Sequence, residues 1–272
     1  MVGLSALSVF AETTLHRGNG AEPETLDIHK SSGVPEANIQ RDLFEGLVSE
    51  AADGSLIPGA AKSWQHDEKG IVWTFKLQEE GKWSDGTKVI ASDFVNAFQR
   101  ALNPKTASQY AFIIWPLKNA KAISKGEIKD LSALGIKALN DLSLEITLEN
   151  PTPFLTGLLS HHMAYPIPSH TIKKHGKKWT KAGNLVSNGP YKLVEWVPQS
   201  HLKLIKNTLR PHILIDTFCW ELTDALEESF HIKGGLKYLY KLLPKGPVAQ
   251  ECIIAGLAPP AGSVDQSFGS VV

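Results

Sequence analysis

Few residues in this chain carry obvious chemistry, and they are scattered. The adjacent pair His161-His162 offers two imidazoles. Neighbours in sequence project apart in both helix and strand, so a single metal ion does not ordinarily take both. Cys219 and Cys252 are too few and too far along the chain to build a zinc site or a disulfide framework, and neither sits in the motif of a catalytic thiol. Whether they are paired or free stays open. Paired carboxylates could support acid–base work, but Glu22 and Glu24 fall in a turn-rich loop, while Asp85 and Asp93 fall in a turn and a helix start. Gly18-Asn-Gly20 lacks the strand, third glycine and helix of a dinucleotide fingerprint, and there is no Gly-x-Ser-x-Gly elbow. The basic cluster Lys173, Lys174, His175, Lys177 and Lys178 reads as a solvated helix end and loop rather than a phosphate site. These readings point away from an enzyme and away from any metal or cofactor.

Composition narrows the class further. Lys+Arg and Asp+Glu both number 28 in 272 residues, which removes the broad electrostatic footprint of a nucleic-acid or membrane-surface binder. The hydrophobic share of 42% is that of an ordinary globular chain. From Val2 to Ala11 a short apolar run places Val9 and Ala11 ahead of Glu12 in the pattern of a small-residue cleavage site. Residues 1–11 therefore read as the remnant of a signal peptide without its basic start, the other reading being a buried N-terminal strand. No later segment approaches the roughly 20 uninterrupted apolar residues of a membrane helix.

The elements that must position any site alternate irregularly between strand and helix. Residues 13 to 18 read as a short strand, followed by a long loop from Asn19 to Pro35, a length usually reserved for function or disorder. Ile39, Leu43, Phe44 and Leu47 form the apolar stripe of a helix. Ile71, Trp73, Phe75 and Leu77 alternate with Val72, Thr74 and Lys76 as in a strand, and Asp85-Gly86 makes a turn. Ser92 is placed to cap a helix whose buried face is Phe94, Val95, Phe98, Ala101 and Leu102, ended by Asn103-Pro104. Leu142, Leu144, Ile146 and Leu148 make a half-buried strand before Asn150-Pro151, and a short helix spans Phe154 to Ser160. Two further strands run from Tyr191 to Val197 and from His201 to Ile205. Trp64, Trp73 and Trp83 read as core. Beyond Asn207 no period can be followed.

Three stretches taken together are more specific than any single motif. They are Asn19 to Lys30 leading through Gly33-Val-Pro-Glu36 into Arg41 to Leu47; Pro58 to Trp64 with Trp73 to Leu77 and Lys82-Trp-Ser-Asp-Gly-Thr87; and Lys178-Trp-Thr180 with Ser187-Asn-Gly-Pro-Tyr191. Over about Thr14 to Lys206 the chain resembles the oligopeptide-binding proteins of ABC importers, extracellular solute-binding proteins of family 5.

That resemblance implies a mixed α/β fold, a periplasmic-binding-protein-like (type II) lobe with an inserted subdomain. The base of this first lobe would comprise residues 12–43 and 163–207, the inserted subdomain 44–162, and a divergent tail 208–272. It implies a periplasmic receptor without enzymatic activity or cofactor, monomeric, whose partners are oligopeptides and the membrane permease subunits of an importer, with no nucleic acid. Main-chain groups of Ser32, Gly33 and Val34, with Tyr110 and His161, match positions that face the peptide. Such receptors hold backbone groups common to all peptides by strand-like hydrogen bonds. Family members run to about twice this length, and their second lobe, which supplies most ligand contacts, is missing here. The departure begins at Asn207-Thr-Leu-Arg-Pro-His212. The alternative expectation is a truncated, non-binding fragment that serves as a docking module.

Overall fold

The computed structural model describes residues 14–51, 53–209 and the strand 251–255. The remnant at 1–11 and most of the tail, Cys219 included, lie outside the described residues.

In chain order the elements are β1 (Thr14–Gly18), α1 (Val34–Leu43), the hairpin β2 (Val48–Glu50) and β3 (Leu56–Pro58), then β4 (Ala61–His66), β5 (Val72–Leu77) and α2 (Ala91–Leu102). There follow α3 (Ala120–Ser124), β6 (Ile136–Asn140), β7 (Ser143–Thr147), α4 (Leu155–Leu159), α5 (Ser169–His175), β8 (Tyr191–Val197), β9 (His201–Lys206) and β10 (Glu251–Ala255). They build two four-stranded sheets. One has the order β1-β10-β9-β8, with β1 and β10 parallel and the other pairs antiparallel. The other has the order β4-β5-β7-β6 and is antiparallel throughout. β10 was not expected. It comes from the stretch where no period could be followed, and it fills the gap between the first strand and the β8–β9 hairpin.

Alternation decides the second sheet. Trp73, Phe75 and Leu77 are buried while Lys76 is exposed, and the register sets Trp73 opposite Ile146 and Phe75 opposite Leu144. Over this sheet lies α2, whose buried Phe94, Phe98, Ala101 and Leu102 form the stripe read from the sequence, with Val95 packed at its margin.

Two local expectations change. Ser92 does not cap α2; the cap is Ile90, two residues earlier, and Ala91 is the first helical residue. The capping group is Asp93, whose carboxylate accepts the Ile90 N–H and the Trp83 indole N–H, each at 3.1 Å. A carboxylate at the third helical position reaches back to the cap, and here it anchors the preceding loop as well. Burial raises the Asp93 carboxyl above its ordinary range against those two donors. Likewise α1 stops at Leu43, so Phe44 and Leu47 are buried from extended chain rather than from a helix face.

The reason α1 stops lies far along the chain, in the Ser187-Asn-Gly-Pro stretch. Gly189 N–H donates to the Leu43 carbonyl at 2.9 Å, and the Asn188 side chain brackets Glu45, accepting its N–H at 3.1 Å and donating to its carbonyl at 2.9 Å. These tertiary bonds take over the backbone groups that another helical turn would use. Ser84 and Ser187 close the same seam, with Ser84 N–H on the Ser187 carbonyl at 2.7 Å and Ser187 N–H on Ser84 Oγ at 3.0 Å.

A Cβ on Gly189 would lie 2.7 Å from the Leu43 carbonyl carbon, against backbone that cannot yield. Gly189→Ala therefore lowers unfolding stability by about 2 kcal/mol in urea titrations. Gly157→Ala, inside α4 with open space around it, instead raises stability by about 0.5 kcal/mol.

Candidate functional site

The loop between β1 and α1 carries the predicted segment Ser32–Val34, and its conformation is imposed from within. Leu26 and Ile28 are fully buried on either side of Asp27. The Asp27 carboxylate receives both Nη groups of Arg100 from α2, at 2.8 and 2.5 Å, the His29 N–H at 3.2 Å and the Trp179 indole N–H at 3.4 Å. Burial works to raise Asp27, but the Arg100 hydrogen bonds and charge override it and hold the carboxyl below its usual range. Arg100 also donates to His29 Nδ1 at 2.8 Å, so that ring is neutral and carries its proton on Nε2. Ser31 and Gln40 exchange a side-chain hydrogen bond, and Glu36 accepts the Glu24 N–H at 2.8 Å. The loop is thus anchored at both ends, and its tip is presented outward.

At that tip Ser32 and Val34 are exposed and Gly33 is half-buried. Gly33 is the residue before α1, and its φ of −112° is open to any residue. Its small size instead makes room for a neighbour: a Cβ would stand 2.2 Å from a Glu36 carboxylate oxygen and displace it. Among the described residues no group accepts from the N–H of Ser32, Gly33 or Val34. Tyr110 Oη donates to the Ser32 carbonyl at 3.0 Å, bridging 78 residues. The Tyr110 ring stands 5.5 Å from His161, 6.0 Å from His162 and 5.9 Å from Phe112. Tyr110 thus links Ser32 to His161, and Gly33 and Val34 follow Ser32 in the chain.

His161 and His162 do not point apart. Their rings lie 4.1 Å from centre to centre, because His161 is extended while His162 begins a 3-10 turn over His162–Ala164, where the alternation of a regular element fails. His161 Nδ1 accepts the Met163 N–H at 3.1 Å, leaving its own proton on Nε2. Burial, then the positive charge of Arg41, holds His161 below its ordinary range. Burial, His161 and Arg41 push His162 down to about 3, and burial with Arg100 does the same to His29. Among the described residues no set of three or more His, Cys, Asp or Glu gathers in a way that could hold a metal ion.

This face has hydrogen-bond donors in the backbone, a neutral imidazole, a phenol and apolar ring surface. Sequence reasoning missed Phe112, His162 and Arg41. Arg41 could have been found, because seven residues after Val34 it shares that face of α1.

Comparison with known proteins decides the family. Residues 55–226 match the model of bacterial extracellular solute-binding proteins, family 5, middle region. The chain belongs to that family. Its match passes Lys206, where the resemblance visible in the sequence ended, though 210–226 lie outside the described residues. The chain is 44% identical over 202 residues to the periplasmic oligopeptide-binding protein OppA of Escherichia coli K12, covering 74% of this chain and 37% of that one. It is 40% identical over 189 residues to the periplasmic murein peptide-binding protein MppA of the same organism, covering 69% and 35%.

Among solved structures, MppA in its unliganded open form superposes with a TM-score of 0.74 at 32% identity, over 90% of this chain and 41% of that one. OppA of Haemophilus influenzae in complex with the peptide RPPGFSPFR superposes with a TM-score of 0.74 at 30% identity, over 90% and 42%. The chain thus spans well under half the length of these family 5 relatives. They are named as binding proteins rather than enzymes, and their fold is the mixed α/β architecture expected here. Among the described residues no helix is long and apolar enough to cross a membrane.

The two histidines with pKa near 3 make stability sensitive to acid. Each is neutral when folded and takes a proton on unfolding below its ordinary value of about 6.5, so its stabilisation is complete above that pH and is lost as pH falls towards 3. At pH 4.5 each costs about 2 to 3 kcal/mol relative to pH 7. His162→Gln is expected to show a smaller drop in melting temperature between pH 7 and pH 4.5 than the parent chain, measured by thermal unfolding.

Proposed function

We propose that this chain is part of the extracytoplasmic solute-binding component of an ABC importer, and that it holds oligopeptides in extended form along Ser32, Gly33 and Val34 beneath Tyr110 and His161. The observation that carries the reading is the run of three N–H groups at Ser32, Gly33 and Val34 that find no acceptor among the described residues, on a segment tied down by Asp27, Glu36 and Tyr110. An extended peptide can supply carbonyls to such a run whatever its side chains are, which suits a receptor of broad specificity. The names of the relatives, OppA and MppA, support a peptide ligand. In this reading the lobe has a base at 12–43 and 163–207 and an inserted subdomain at 44–162, is monomeric, resides in the periplasm and meets the membrane permease subunits of its importer.

The test is calorimetric titration of the whole chain with tri- to pentapeptides, alongside Val34→Pro. Proline at the first helical position keeps the backbone in place and removes one N–H. Gly33, already extended with ψ of 159°, accommodates a following proline. Saturable heat in the parent, weakened about tenfold in Val34→Pro with an unchanged melting temperature, supports the proposal. A folded parent that gives no heat with any peptide overturns it and favours a docking module.

A further inference from the structure

The even charge balance of the chain conceals a local imbalance. No Asp or Glu occurs between Glu149 and Glu195, while that stretch carries Lys173, Lys174, Lys177, Lys178, Lys181 and Lys192 and no Arg. The first five gather at one corner, on the end of α5, the 3-10 turn Gly176–Lys178 that follows it, and the residues just beyond. Lys173, Lys174, Lys177, Lys178 and Lys181 are all exposed. Among the described residues none of them pairs with a carboxylate; Lys181 alone has an aromatic partner, its ammonium 5.4 Å from the Trp196 ring centre.

Cations in the last turn of a helix complement its dipole, which accounts for Lys173 and Lys174. It does not account for Lys177, Lys178 and Lys181, which lie past the helix end. Carboxylates that reach these elements are already engaged: Asp85 by His170 at 2.7 Å, Asp27 by Arg100 and Trp179, and Glu22 by Trp196 and Gln199. The corner is therefore a compact patch of uncompensated positive charge.

In place of the solvated helix end that the sequence alone suggests, we propose that this patch docks the protein on an anionic lipid surface through the phosphates of its headgroups. Two features favour lipid over an acidic protein. The charges are all lysines, mobile and strongly hydrated point charges suited to diffuse attraction, with none of the arginines that give bidentate recognition of carboxylates. No exposed large apolar side chain falls on α5 or on residues 176–181 that carry the lysines, and the Trp196 ring beside Lys181 is only partly exposed, so the centre of the patch lacks the apolar surface that protein interfaces use. The proposal is independent of peptide binding.

The experiment is co-sedimentation of the whole chain with phosphatidylcholine vesicles, with and without phosphatidylglycerol. Binding is expected only with phosphatidylglycerol, and it is lost as added salt shortens the screening length from about 10 Å at 0.1 M to about 3 Å at 1 M. Each lysine near an anionic surface contributes about a fivefold factor, so the triple variant Lys173→Gln, Lys174→Gln, Lys177→Gln binds about a hundredfold more weakly. Lys69→Gln, Lys105→Gln, Lys129→Gln removes the same net charge from exposed positions elsewhere and retains binding. Equal loss in both triples overturns the proposal in favour of net charge alone. Competition by millimolar inorganic phosphate overturns it in favour of a discrete anion pocket. Absence of vesicle binding overturns it outright, and capture by immobilised polyglutamate in that case points to an acidic protein instead.

Discussion

The contact on which the site depends is the ion pair between Asp27 and Arg100. It joins a loop to a helix 73 residues away, and the same carboxylate receives the indole of Trp179, a further 79 residues along. An ion pair partly withdrawn from water is not chiefly a source of stability, because desolvation of the buried carboxylate offsets much of the attraction. Its effect is on geometry: the planar guanidinium meets both carboxylate oxygens and also His29, so the loop has one position relative to α2. Without Arg100, the buried Asp27 carboxylate would keep only the His29 and Trp179 N–H groups and lose its counter-charge. A loop of this length without such a constraint would sample many conformations, and its tip could not present a fixed row of donors.

The rest of the face is held by the same means. Tyr110 uses its phenol to grip the loop carbonyl, leaving its ring to the histidines and Phe112. The neutral state of His161 and His162 follows from burial and from Arg41, and neutrality lets two imidazoles stand ring to ring without repulsion.

The Ser187-Asn-Gly-Pro stretch does structural work between distant parts of the chain. Its groups are consumed in ending α1, bracketing Glu45 and closing the seam to Ser84. The glycine is required because two backbones meet there, not because of any turn. Positive charge is held in two ways: Arg17 and Arg100 pair with the buried Asp42 and Asp27, while the lysines of α5 and its following turn are exposed and pair with no carboxylate among the described residues.

What the amino-acid sequence determined by itself was whatever depends on local period or local turn chemistry. The alternation from Trp73 to Leu77, the apolar stripe of α2, the stop at Asn103-Pro104 and the β8–β9 hairpin were all legible, because a strand or helix buries a face that its own spacing defines. Resemblance added the positions of Ser32, Gly33, Val34, Tyr110 and His161, though not their mutual contacts. Tertiary structure decided the remainder. Asp93 displaced Ser92 as the cap because Trp83 arrives to share it, and α1 ended early because Gly189 arrives to take its carbonyl. β10 formed without a readable period, since its pairing lies with β1 and β9 at distant points of the chain. His161 and His162 came together because the backbone changes type between them, and a residue-by-residue rule for regular elements has no purchase where one element gives way to the next.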